Sequence, residues 1–324
     1  MNYKTFMETH GYTFKSNLGE GTYGKVLSAY SNQMKRKVAV KIIDKAKAIS
    51  NYLENFLPWE IKLIRSLKHP NIVKTHDIFG LQTSKVYVVM ELCVKGNLLK
   101  NINDHGVLLE PAGCRLFTQL CKAIQYLHNS NVAHRDLKCE NLLLDKHHNL
   151  KVCDFGFSKR LTYRDGQLVL SKTCCGTWSY AAPEILRGVP YNPKVSDVWS
   201  TGVVLYMMLY ASMPYDTTNV RRLVKIQMQH NINLPDKPSV SPEAKDLIRS
   251  ILHPDVEQRF TISNILSCSW MLWKGKMEDK DEIPTSNAGS GQEGPPDEKS
   301  KDEEEPTKYS SDPGEGPSTA PPRH

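Results

Sequence analysis

The hydrophobic period changes once along this chain, and the change divides it. From Gly11 to about Asp44, β-branched and aromatic residues alternate with polar ones, interrupted by glycines and by the basic turn SNQMKRK. A period of two belongs to strands with one buried face, so this stretch is expected to form hairpins. KVYVVMEL at 85–92 reads as a further strand. Beyond Gly96 the period becomes helical: EPAGCRLFTQLCKAIQYLHNS spaces Leu116, Leu120, Ile124 and Leu127 three or four apart on one face. SDVWSTGVVLYMMLY and SPEAKDLIRSILH read as helices too. Between the two regimes lies NYLENFLPWEIKLIRSL, a helical stretch in which Pro58 must either open a helix or kink it. The pattern predicts an α+β, bilobal chain with a small β-rich lobe and a larger helical one.

Composition changes again near Gly275. Residues 275–324 carry 13 acidic and 6 basic side chains, leaving 36 basic and 22 acidic in the remainder, a net of +14 there. Rich in Pro, Gly, Ser and acid, the tail has too few apolar groups to offset its ordering entropy and is expected to be disordered. A basic body suits a polyanion such as nucleotide phosphate or nucleic acid, although a merely soluble surface is as common a cause. Neither a nucleic-acid module nor an aromatic stacking motif is evident, so no nucleic-acid partner is expected. GVVLYMMLY is too short to span a bilayer, and MNYKTFMETHG has no apolar signal core. The eight cysteines include no CxxC pair. A soluble cytoplasmic protein with reduced thiols is expected.

Several short motifs carry chemistry. GEGTYGKV (Gly19 to Val26) matches GxGxxGxV, in which backbone amides approach phosphates without interference from Cβ atoms. By itself it fits a flexible hairpin turn equally well. A dinucleotide fingerprint would have to open a helix, whereas VLSAY and the strand VAVKII follow here. Lys41 of that strand sits among apolar residues; it reads either as an edge-strand solubiliser or as a half-buried cation whose countercharge is Glu60. HRDLKCEN, from His134 to Asn141, sets four polar side chains between apolar runs, as a rigid loop converging on a charged ligand would. CDFGFSK (153–159), SYAAPEIL (179–186) and SDVWSTG (196–202) each add an acid.

Taken together and in this order, these fragments resemble the protein-kinase signature set. Residues 12–273 resemble a complete eukaryotic protein kinase domain, with an N-terminal extension over 1–11 and the tail over 274–324. Lys138 and the pair Gly176-Thr177 resemble the serine/threonine branch. HRDLKCENLLLDK, ILRGVPYNPKVSDVWS and SMPYDTTN are most similar to the testis-specific serine/threonine kinases of the calmodulin-dependent-kinase-like group. The resemblance implies ATP and Mg²⁺ as cofactors, protein substrates, a monomeric catalytic domain and a part in sperm formation.

It also implies roles. Asp136 would be the catalytic base and Lys138 would neutralise charge on the transferred phosphoryl group. Asn141 and Asp154 would hold Mg²⁺. Nucleotide contacts would come from Leu18, Gly19, Glu20, Gly21, Thr22, Tyr23, Gly24, Lys25 and Val26 of the glycine-rich turn. Ala39, Lys41 with Glu60, gatekeeper Met90, hinge residues Glu91 and Cys93, and Leu143 would add to them. His134 would pack near Phe155, and Glu184 would pair with Arg259. Glu140 would meet a basic residue upstream of the acceptor, two other acidic positions of that kind being Asn97 and Met207 here. Thr177 would join Asp136 and Lys138 at the substrate site.

Arg135, directly before the base, needs an anion. Lys159 would join it around a phosphate on Thr173, added by an upstream kinase or by autophosphorylation, with Ser171 the nearest rival. Trp59 and Trp178 depart from the family pattern. Neither removes a catalytic group, and the retention of Lys41, Asp136, Asn141 and Asp154 weighs against the alternative of a pseudokinase scaffold.

Overall fold

Residues directly opposite each other in an antiparallel pair share a face, and here the register sorts the small lobe into two faces. The computed structural model describes residues 3–21, 24–50 and 52–272. The tail expected to be disordered, and Thr22 and Tyr23 of the glycine-rich turn, lie outside the described residues. Strands β1 (Tyr12–Gly21), β2 (Gly24–Ser31) and β3 (Arg36–Asp44) form the expected hairpins. With β4 (Thr75–Phe79) and β5 (Lys85–Glu91) they make an antiparallel sheet in the order β1-β2-β3-β5-β4. Lys41 therefore sits on the central strand, which removes its reading as an edge solubiliser. THDIF of β4 shows no alternation, since all five residues are half-buried.

Lys25, Leu27 and Ala29 of β2 oppose Ile42, Val40 and Val38, whereas Val26 and Ser28 oppose Lys41 and Ala39. The first face packs Leu27, Ala29, Val38, Val40, Ile42, Tyr87 and Val89 against Met7. Met7 belongs to a short helix, α1 (Tyr3–Thr9), within the N-terminal extension over 1–11. On the other face Ile43, Val86 and Val88 pack with Tyr52, Leu57 and Ile61. The helical stretch around them is in two parts. Tyr52–Phe56 is a wide π-type turn, and α2 (Leu57–Ser66) follows with Pro58 in its first turn, where a missing N–H costs no intrahelical bond.

The large lobe is built on α3 (Leu98–His105), α4 (Glu110–Asn129), α5 (Pro183–Leu186), α6 (Pro193–Tyr210), α7 (Val220–Met228), α8 (Pro242–Ile251), α9 (Ile262–Ser267) and α10 (Ser269–Leu272). Leu116, Leu120, Ile124 and Leu127 all enter one core. From Ser196 onward α6 is buried almost all round, and a helix apolar on every side belongs in the middle of a core. Between α4 and α6, β6 (Val132–Ala133) pairs with β9 (Lys159–Arg160), and β7 (Leu142–Leu144) with β8 (Leu150–Val152). These two pairings bring the loops 134–141 and 153–158 together. A further hairpin, β10 (Tyr163–Arg164) with β11 (Gln167–Leu168), follows. No helix among the described residues is long and apolar enough to cross a membrane.

Candidate active site

A buried carboxylate fixes the loop that opens with His134. Asp197 of α6 is 1% exposed; its Oδ2 accepts the N–H of His134 at 2.9 Å and its Oδ1 that of Arg135 at 2.8 Å. His128 Nε2 lies 2.9 Å from Oδ2. These bonds hold Arg135 in the left-handed region, at φ 65°. Asp154 is left-handed too, at φ 60°. A non-glycine residue there costs about 1–3 kcal/mol, so its surroundings must impose it. The acid of SDVWSTG had no assigned role in the sequence; a lone carboxylate within an otherwise apolar helix was the available signal.

So anchored, the loop presents a tight polar cluster. Asp136, 6% exposed, accepts the Thr177 N–H at 2.9 Å and its hydroxyl at 2.8 Å, both on Oδ1. Its Oδ2 takes Asn141 Nδ2 at 3.0 Å and lies 3.2 Å from Lys138 Nζ. Lys138 also donates to the Thr177 hydroxyl at 2.8 Å. Asn141 spends its amide nitrogen on Asp136, leaving Oδ1 without a hydrogen bond among the described residues.

The second cluster joins the lobes. Lys41 Nζ lies 2.9 Å from Glu60 Oε1 and 3.0 Å from Asp154 Oδ1, and Tyr52, a partner the sequence reading missed, donates to Glu60 Oε2 at 2.8 Å. Burial works against the Lys41 ammonium, but the Asp154 and Glu60 carboxylates carry its pKa well above the ordinary lysine value. Lys41 in turn holds the Asp154 carboxyl below the usual range. His134 packs its ring 5.1 Å from that of Phe155.

Val26, Ala39, Lys41 and Met90 share one sheet face by register. Leu18 is exposed, and the side of Gly19 where a Cβ would stand is open. Gly24 is glycine for a different reason: a Cβ there would overlap the carbonyl oxygen of Ile42 in β3. Lys25 turns away from its neighbours, because it lies on the opposite face with Ile42. The Glu91 carboxylate is taken by the Lys74 N–H and Lys151, so this residue could serve the hinge only through its backbone. Burial, then Glu91, push the Cys93 thiol up to about 12. The unbonded Asn141 oxygen and the Asp154 carboxylate beside a lysine are a donor set suited to Mg²⁺ and phosphate.

Comparison with known proteins agrees with this geometry. Residues 12–271 match the protein kinase domain family. Testis-specific serine/threonine-protein kinase 1 of Mus musculus is 52% identical over 271 residues, 83% of this chain and 74% of the relative. The Homo sapiens protein of that name is 50% identical over the same shares. Testis-specific serine/threonine-protein kinase 2 of Mus musculus is 50% identical over 262 residues, 81% of this chain and 73% of the relative. The chain belongs to the testis-specific serine/threonine-protein kinases.

In this serine/threonine kinase the segment from Asp154 to Glu184 lies wholly within the described residues. Ser171 is fully buried, exchanges backbone hydrogen bonds with Tyr191 at 2.8 and 2.9 Å, and accepts from Lys159 Nζ at 3.2 Å. Thr173 is exposed, held by its carbonyl to the Tyr191 hydroxyl at 2.9 Å. Arg135 donates from Nε to the Phe157 carbonyl at 2.8 Å, while its Nη1 is enclosed with no hydrogen-bond partner among the described residues. Burial and the Arg135 charge lower the pKa of Lys159. Glu140 keeps one carboxylate oxygen enclosed and, among the described residues, unpaired. Of the two positions grouped with it, Asn97 caps α3, and Met207 is buried in the core. Met207 cannot reach a substrate; α6 is packed on every side there. Trp59 packs against the core and Trp178 is 58% exposed beside Thr177.

Proposed function

We propose that this kinase transfers the γ-phosphoryl group of ATP to serine and threonine hydroxyls of other proteins, in developing male germ cells, as the relatives' names imply. The observation that carries the reaction is the Asp136 carboxylate: Asn141 and Lys138 fix one oxygen, while the other accepts a threonine hydroxyl. A substrate hydroxyl presented there gains an oriented acceptor for its proton. Lys138, which reaches both Asp136 and the Thr177 hydroxyl, neutralises charge on the moving phosphoryl group. Lys41, gripped by Glu60, positions the α- and β-phosphates. Mg²⁺, when bound, neutralises the phosphates, and Asn141 Oδ1 with Asp154 would hold it. The face carrying Val26, Ala39 and Met90, together with Leu143, suits an adenine ring.

The catalytic domain is 12–273 and works as a monomer in the cytoplasm. All eight cysteines are free, as a reducing compartment requires. The unpaired oxygen of Glu140 favours a basic residue upstream of the acceptor. Thr173 is the regulatory acceptor: it is exposed where Ser171 is buried, and Arg135 offers an unpaired N–H beside a second cation, Lys159. Incubation of the purified protein with Mg·ATP and a generic serine/threonine substrate tests the function. Transfer that Asp136→Asn abolishes supports it; no transfer by the wild type would leave a scaffold.

A further inference from the structure

The region matched to the kinase family begins at residue 12, yet α1 lies before it and is built into the sheet. Its Met7 is fully buried. Phe6 stacks on Tyr87 of β5, with ring centroids 5.0 Å apart and an interplanar angle of 24°. His10, just beyond the helix, lies 4.6 Å from the ring of Phe79 in β4. One end of α1 is thus fixed to β5 and β4, the strands last in hydrogen-bonding order from β1.

The other end meets β1 and β2, the two strands of the glycine-rich turn. Tyr3 rests on Phe14 of β1, ring centroids 5.8 Å apart. From β2, Lys25 reaches over Tyr3, its Nζ 4.5 Å from the ring centroid and donating to the phenolic oxygen at 3.0 Å. The register explains the reach: Lys25 shares the Ile42 face, on which α1 packs, and not the Lys41 face. The phenol's pKa is lowered, first of all by the Lys25 hydrogen bond. Lys25 adjoins Gly24, which is pinned close to Ile42, so a hold on Lys25 bears on the turn at its root.

We propose that α1 is a strap across the outer face of the sheet and that Tyr3, through Lys25 and Phe14, is a positioning residue for the glycine-rich turn over the nucleotide phosphates. This rests on the reading of that turn as the phosphate-binding element. Lys25 then serves nucleotide binding from the outside, by fixing the backbone, with its own charge spent on Tyr3. Fixing the strands on either side of the turn before the nucleotide arrives lowers the entropy that binding must overcome.

The test uses the full chain. Tyr3→Phe keeps the ring and deletes the oxygen; losing one hydrogen bond to a charged group in a half-exposed setting is expected to weaken binding of a fluorescent ATP analogue with Mg²⁺ about threefold. KM for ATP should rise by the same factor with kcat unchanged and the melting temperature unmoved, because Met7 and Phe6 keep α1 docked. Lys25→Ala should weaken binding similarly, and adding Tyr3→Phe to it should do nothing more, since the two act as one unit. An unchanged nucleotide affinity in Tyr3→Phe, or full additivity in the double variant, overturns the proposal. Lys41→Met, assayed alongside, separates the premise: if it retains turnover, the reading of the nucleotide site is at fault instead of the strap.

Discussion

Arg259 grips Glu184 with both terminal nitrogens, at 2.7 and 2.9 Å, and its guanidinium is wholly enclosed, 4.9 Å from the centre of the Trp199 ring. The pair ties the end of the segment after Thr177 to the far side of the helical lobe. Breaking a buried pair by removing one partner costs about 3–5 kcal/mol, because the other charge stays unpaired. Glu184→Ala should therefore show a lower urea midpoint and lose the ordering of 171–180, seen as faster proteolysis there. An unchanged midpoint would place the pair in contact with water.

Lys41→Met should lower turnover at least about a hundredfold while leaving the fold intact, since the lysine positions phosphates and adds little to packing. Phosphate incorporation with circular dichroism as a control checks it. The depressed Asp154 pKa carries a sign: the pair's contribution to stability is complete above the unfolded aspartate value and is lost only as pH falls through the lower folded one. Loss of wild-type stability at about pH 5 should therefore belong to other groups.

Much of this was legible in the residues. Leu116, Leu120, Ile124 and Leu127 announced α4 by spacing, and Lys41 announced Glu60 by its need for a countercharge. What escaped has physical reasons. β4 has two half-covered faces and so no alternation. Asp197 and Tyr52 act through partners 62 and 8 positions away, a closeness that no local pattern encodes. The sequence marks Met207 only as a position without an acid, and the packing of α6 adds that its side chain is buried in the core. Gly24 fitted a phosphate motif, while its geometry answers to the backbone of β3.

Thr173→Ala should reduce activity roughly tenfold, a size usual for coupling between a switch and a site, whereas Ser171→Ala should reduce it much less. Phosphate at Thr173 would satisfy Arg135 Nη1 and pair with Lys159; Ser171 is closed to a modifying enzyme. Full activity of wild-type protein shown by mass spectrometry to lack phosphate would remove the switch.

A positional peptide array should show mild selection for arginine upstream of the acceptor, and Glu140→Ala should cost such peptides about tenfold in kcat/KM, the worth of one charged hydrogen bond. Because Asn97 and Met207 supply no second carboxylate, peptides with two basic residues should gain little over those with one. Indifference to arginine would leave the orphan oxygen of Glu140 without a purpose.

Iodoacetamide at pH 8 should modify the exposed Cys174 and spare Cys93, whose thiol is raised to about 12 and so holds almost no thiolate at that pH. Peptide mapping reads the result directly. Labelling of Cys93 ahead of Cys174 would mean that the hinge opens to water far more than its burial allows.

The two anchors of the active site belong to different bodies. Asp197 clamps the Asp136 loop to the helical core, whereas Lys41 travels with the sheet, and their meeting point is the Lys41–Asp154 bond, with side chains 27% and 47% exposed. If the lobes part, Asp197 keeps its hold on the Asp136 loop and Lys41 keeps Glu60, while this wetted contact is among those exchanged for solvent. Because that ion pair is half-exposed and screened, its loss adds little to the cost of opening, and the cleft can admit and release nucleotide without dismantling the loop that uses it.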